Sequence, residues 1–98
     1  MDDRKTRDHI QAHADAVVSG DMDTVVADLS EKLRPQAPEL ANALPLPVTQ
    51  AEVLSVDVGD AESVATIRYT GAGGELTYRT RWQDDDAHPV IVHIEPVA

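Results

Sequence analysis

The side chains best suited to chemistry in this sequence are few: four histidines, two tyrosines, one tryptophan and no cysteine. His9 and His13 stand four apart. On a helix that places both imidazoles on one face, a spacing that can chelate zinc. A third ligand would have to come from elsewhere, from Asp8 or a strand carboxylate, and none is spaced to announce itself. Two solvated histidines is the simpler reading, so no metal site and no cofactor are expected. His13 and Tyr78 are the candidate catalytic pair, able to act as donor and acceptor on a ligand. Against this stands a plainer arrangement, in which His13 is half-exposed and Tyr78 is a core residue with its hydroxyl at the rim. Asp84-Asp85-Asp86 would suit calcium only with alternating oxygen ligands, a glycine and a distal glutamate, and these are missing. It reads as a solvated hairpin tip.

The elements that must position these groups follow from length, charge and pattern. Ninety-eight residues make one domain, spanning 1–98, with a core that is feasible but thin. Eighteen acidic residues stand against eight basic ones, giving a formal net charge of −10. Nucleic-acid binding needs Lys and Arg to replace phosphate counterions, so DNA and RNA are not expected partners. The same field opposes an anionic membrane surface. No apolar run approaches the ~20 residues of a membrane span. Met1-Asp2-Asp3-Arg4-Lys5 leads into no apolar stretch, so no signal peptide is expected and a cytoplasmic location is the default. Many Ala, Val, Asp and Arg with few Lys suit a GC-rich bacterial genome, and a salt-rich cytoplasm is the alternative.

Apolar spacing predicts a helix over 3–19, with Ile10, Ala14, Val17 and Val18 on one stripe and Thr6 and His13 at its edges. Ser19-Gly20 stops it, and Asp21 is the expected N-cap of a second helix over 22–34. Met22, Val25, Val26, Leu29 and Leu33 form that helix's stripe. Residues 35–47 hold four of the six prolines and read as a connector with a short helical turn over 39–42. Period-two alternation then predicts four strands over 50–58, 62–70, 75–83 and 89–96. The expected class is α+β, with two N-terminal helices on a curved four-stranded antiparallel sheet.

On that sheet the predicted inner face offers Tyr69, Tyr78, Thr80 and Trp82. With His13 they are the pocket candidates for a small hydrophobic ligand. No carboxylate falls on the inner face of the last three strands, which weakens acid–base chemistry there. The predicted outer face carries Val64, Thr66, Arg68, Thr77, Arg79, Arg81, Ile91, His93 and Glu95, so half of all the arginines gather on one surface. Cross-strand ion pairs within one chain account for this pattern. A two-fold interface, Arg of one copy meeting Glu of the other, accounts for it as well, and a homodimer through the outer sheet face is the expected assembly.

The order of elements resembles the nuclear transport factor 2-like (SnoaL-like, cystatin-like) superfamily. The likeness rests on the junction Ala16-Val17-Val18-Ser19-Gly20-Asp21-Met22-Asp23, on the continuation Val25-Val26-Ala27-Asp28-Leu29, and on the closing hairpin Arg81-Trp82 with Pro89 to Pro96. The chain is shorter than a usual member, and its last turn lacks a glycine. The resemblance implies a curved sheet wrapped over helices as a cone, used in some members as an active site and in others for binding. Three functions are therefore expected in turn. The first is a non-catalytic homodimeric binding or assembly module. The second is a small isomerase, cyclase or dehydratase acting on a hydrophobic ligand in the cone. The third is an acidic protein whose helical surface docks a basic partner.

Overall fold

The computed structural model describes residues 2–85 and 88–97; Asp86 and Ala87 of the predicted acidic tip lie outside the described residues. Three helices precede four strands: α1 (Asp3–Ser19), α2 (Met22–Ala27), α3 (Ala37–Ala43), β1 (Val48–Val58), β2 (Glu62–Gly71), β3 (Gly74–Asp84) and β4 (Pro89–Pro96). The strands form one antiparallel meander in the order β1-β2-β3-β4. The helices cover one of its faces, α1 lying mainly against β1. The α+β class and the four-stranded antiparallel sheet are as expected.

Local chemistry sets the helix ends. Asp2 caps α1, its carboxylate accepting the Lys5 amide at 2.9 Å. At the other end Gly20 takes a left-handed conformation, φ 78°. This lets the Gly20 amide reach the Val17 carbonyl and the Asp21 amide reach the Ala16 carbonyl, closing the helix. Asp21 then caps α2, accepting from the Thr24 hydroxyl at 2.7 Å and the Thr24 amide at 3.3 Å.

The second helix is shorter than its apolar stripe predicts. It ends at Ala27, because the next residues spend their backbone groups on β4. The Ile91 amide donates to the Asp28 carbonyl at 2.7 Å, and the Ser30 amide donates to the Ile91 carbonyl at 2.9 Å. Leu29 thus bridges Ile91 in parallel and remains buried, as does Leu33. In the connector a 3₁₀ turn (Arg34–Gln36) leads into α3, with Pro38 in the first turn, where a missing amide costs nothing.

Extra residues in the edge strands change which side chains face the helices. Register shifts at Thr49 and Leu54 in β1 leave Ala51, Val53 and Val56 opposite Tyr69, Ile67 and Ala65 on the inner face. Leu54 sits at the shift and is exposed. In β4 the shift falls at Val92, so Trp82 faces Ile91 while Arg81 faces His93. Ile91 was expected on the outer face and is instead fully buried, because one extra residue reverses the side on which everything before it points. The core closes around Ile10, Ala14, Val17, Ile67, Trp82 and Ile91.

Gly71 sits where the chain crosses the connector. A Cβ there would overlap the carbonyl oxygens of Pro45 and Pro47, whereas one at Gly73 would lie 4.0 Å from its nearest neighbour. Gly71→Ala is expected to lower stability by about 1–3 kcal/mol. Gly73→Ala should stay within about 0.5 kcal/mol of the parent, read from urea midpoints at unchanged slope.

Candidate functional site

The early end of α2 delivers the residue around which the site is built. Asp28 follows the last helical turn and turns its carboxylate inward, where the side chain keeps 4% of its exposure. Its two oxygens face two histidines of α1. His13 Nδ1 lies 2.8 Å from Oδ2 and His9 Nε2 lies 2.8 Å from Oδ1. An ionised carboxylate only accepts, so both of those nitrogens carry the proton and donate. The spacing of four along α1 places the two imidazoles one above the other, and Asp28 joins them from below.

Trp82, fully buried, forms the wall. Its ring stands edge-on to both His9 and His13, with centroids 5.8 Å and 5.3 Å away. The indole N–H donates to the Thr80 hydroxyl at 2.8 Å, and that hydroxyl donates to the Ala65 carbonyl at 2.9 Å. On the solvent side His88 stacks on His9, with centroids 5.1 Å apart and planes 20° apart. Its Nδ1 lies 3.7 Å from Asp28 Oδ1. His88 Nδ1 also lies 2.8 Å from the Pro89 carbonyl, to which it donates. Ligand atoms of His9, Asp28 and His88 lie within 4.8 Å of one another, the arrangement among these side chains able to hold a metal.

Burial alone would push the Asp28 carboxyl up. The hydrogen bonds and charge of His13, then of His9, outweigh it and hold the carboxyl below its ordinary value of 3.8. Tyr69 is pushed well up by burial and by the neighbouring Tyr78, and Tyr78 is raised by burial. Both tyrosines therefore stay protonated.

His13 also borders a second feature, an apolar cleft of about 60 Å³ between the sheet and the short helices. Val25, Leu40 and Leu44 lie on the helix side, and Tyr69, Tyr78 and Ile94 on the sheet side. Drug-sized ligands occupy roughly 300–1,000 Å³, so this cleft suits only a small apolar group. Of the pocket candidates it brings together His13, Tyr69 and Tyr78. Thr80 and Trp82 are not on its lining and serve as the packed wall. The Tyr78 hydroxyl donates to the Leu40 carbonyl at 3.3 Å.

Two expectations are corrected here. His13 is buried at 4%, not half-exposed, because Asp28 satisfies its ring. His9 is half-buried and hydrogen-bonded, not solvated. The interior holds one carboxylate all the same, that of Asp28, which comes from the helix side and not from a strand. Asp28 and His88 were the site residues missed. Asp28 did leave a signal, a charged residue three after Val25 and just before Leu29 on an apolar stripe. His88, in a turn, left none.

Apart from Ile91, the outer-face candidates lie on the side of the sheet that carries its arginine–glutamate pairs. Arg68 pairs with Glu52 at 2.7 Å, Arg79 with Glu95 at 3.5 Å and Arg81 with Glu62 at 3.5 Å, while His93 lies 3.6 Å from Glu95. Val64, Thr66 and Thr77 lie half-buried among these pairs. Each arginine of this surface thus has a glutamate of its own chain.

No protein-family model matches the chain, and no curated protein matches it. Among solved structures it is similar to the solution structure of a SEC-C motif containing protein from Rhodopseudomonas palustris. The two share 13% identity with a TM-score of 0.68, over 92% of this chain and 77% of the other. At that identity the likeness concerns the fold alone. The resemblance to the nuclear transport factor 2-like superfamily is corrected accordingly, since the fold is shared with a protein of a different description. The residues that carried it have local explanations. Ser19-Gly20-Asp21 is a helix stop followed by a cap, and Val25 to Leu29 is a helix turn ending at a buried aspartate.

Asp28→Asn removes the charge both histidines address and is expected to cost about 3 kcal/mol at neutral pH, measured by urea unfolding with a chelator present. The folded pKa of Asp28 lies below 3.8, so the carboxylate's contribution is present above that pH. It is lost as pH falls through the lower, folded value, and the gap between parent and variant should close there.

Proposed function

We propose that this chain is a small non-catalytic α+β binding module that takes a compact apolar group into the cleft beside His13 and pairs with a second copy through its outer sheet face. The observation that carries the reading is that two of the polar groups beside the cleft are already committed. His13 Nδ1 donates to Asp28, and the Tyr78 hydroxyl donates to Leu40. With both tyrosines held protonated, what the cleft offers a guest is mainly aliphatic surface. A guest of a few carbon atoms in such a space binds weakly, at about millimolar level. Pairing through the sheet would exchange in-chain Arg–Glu partners for equivalent ones across the two-fold axis, with Val64 adding apolar area.

One observation favours a second reading. The Asp28–His13 contact is the arrangement in which a carboxylate fixes the tautomer of an imidazole and leaves Nε2 as an acceptor. In a ring that borders an apolar cleft, that nitrogen is where an isomerase or dehydratase would hold its base.

Titration of methyl-labelled protein with cyclohexanol separates the readings. Binding predicts saturable shifts at Val25, Leu40 and Leu44, their loss in Ala41→Leu, which fills the cleft, and little change in His13→Gln. Absence of any shift overturns the binding reading. Turnover of a cyclic hydroxy or keto compound that His13→Gln abolishes would establish the second. Light scattering should give twice the 10.6 kDa of one chain, and a monomer at micromolar concentration removes the pairing.

A further inference from the structure

We propose that His9, Asp28 and His88 form a binding site for one divalent transition-metal ion of the zinc type, on the solvent side of the buried carboxylate. The site is separate from the apolar cleft and does not depend on how the cleft is used. Asp28 divides its two oxygens between two environments. Oδ2 is turned into the protein and held by His13 at 2.8 Å. Oδ1 is turned toward two imidazoles that solvent reaches, His9 with 27% of its side chain exposed and His88 with 35%.

His9 meets Asp28 through a hydrogen bond, and His88, bonded to the Pro89 carbonyl, is brought in beside them. His9 and His88 are stacked face to face beside one carboxylate oxygen, and one donor atom from each of the three residues falls within 4.8 Å of the others. His88 at 3.7 Å is beyond hydrogen-bond reach of Oδ1, so its proximity contributes no bond to that oxygen. Zinc holds imidazole nitrogen and carboxylate oxygen at about 2.0–2.2 Å, which needs only a small inward movement of side chains already this close.

The donor set selects the metal. Two imidazoles and one carboxylate suit zinc, copper, nickel or iron(II). Calcium and magnesium call for several oxygens, of which this cluster offers one residue's worth. Two neutral imidazoles and one carboxylate carry a single negative charge, leaving a dication with positive charge and open positions toward solvent. His9 Nε2 and His88 Nδ1 each carry a proton now, the latter donated to the Pro89 carbonyl. The metal displaces the first to His9 Nδ1 or to water, and His88 binds through Nε2, or through Nδ1 once its proton passes to Nε2 and the bond to Pro89 is given up. His13 would not touch the ion. It is a positioning residue that holds the far oxygen of Asp28, and Trp82 keeps water from the protein side of both rings. The net charge of −10 raises the local concentration of any cation.

The test uses the untagged full chain, freed of metal with a chelator and titrated with Zn²⁺ against a chromophoric competitor, then with Co²⁺ for its visible absorption. The expected result is one ion per chain at micromolar concentration or tighter, with a cobalt spectrum of low coordination number. His88→Ala, at a half-exposed position that leaves the core intact, should weaken binding at least about 100-fold while the circular dichroism stays that of the parent. His13→Gln should weaken it about 10–100-fold, as outer partners of metal ligands do. His93→Ala, on the opposite sheet face, should leave it unchanged. Failure to bind zinc below millimolar concentration, binding that survives His88→Ala, or binding lost in His93→Ala would each overturn the proposal.

Discussion

The carboxylate of Asp28 is the point from which the rest of the structure is held. A charge with 4% of its side chain exposed survives burial only when it is hydrogen-bonded on every side, and two imidazoles meet that demand. Meeting it fixes the geometry around it. The helix that carries His9 and His13 cannot rotate without losing one of the two contacts. The second helix must stop where Asp28 turns in, and the freed backbone then finds its partners on Ile91 of the last strand. One side chain thereby ties the first helix, the second helix and the sheet edge together. The apolar contacts of a chain this small would do so less specifically.

Curvature is the second constraint. Two register shifts in β1 and one in β4 lie on the two edge strands of the sheet, while β2 and β3 pair without interruption. An extra residue in an edge strand bends that strand locally and increases its twist. The shift at Val92 turns Ile91 inward, beside the segment Asp28–Ser30 that follows the second helix. Without that shift the Ile91 side chain would point to solvent instead of into the core.

Much of this was legible in the residues alone. Periods of 3.6 and 2 placed α1 and all four strands, and Gly20-Asp21 announced the joint between the helices through well-defined capping chemistry. That Tyr69, Tyr78, Thr80 and Trp82 share one buried side is legible in the alternation alone, because β2 and β3 pair in unbroken register. Two kinds of information were missing. Bulges are set by tertiary packing and leave no local mark, hence the reversal at Ile91 and the exposure of Leu54. The partner of the His9–His13 pair is neither Asp8 nor a strand carboxylate but Asp28, at a helix end whose position depends on a long-range backbone contact. Asp28 looked like an ordinary polar residue within a stripe because local pattern cannot distinguish a solvated acid from one with two buried donors. The superfamily resemblance drew on those same short segments, which capping and termination explain equally well.

Trp82 is the only tryptophan in the chain, and it stands edge-on to both histidines that hold the carboxylate. Every photon the indole absorbs and re-emits therefore originates at one address, at the centre of the cluster and away from the outer sheet face. A change in the protonation or position of either imidazole alters the electric field across that single ring. The molecule carries its own optical gauge, and steady-state emission reports the condition of its most consequential contact without a label.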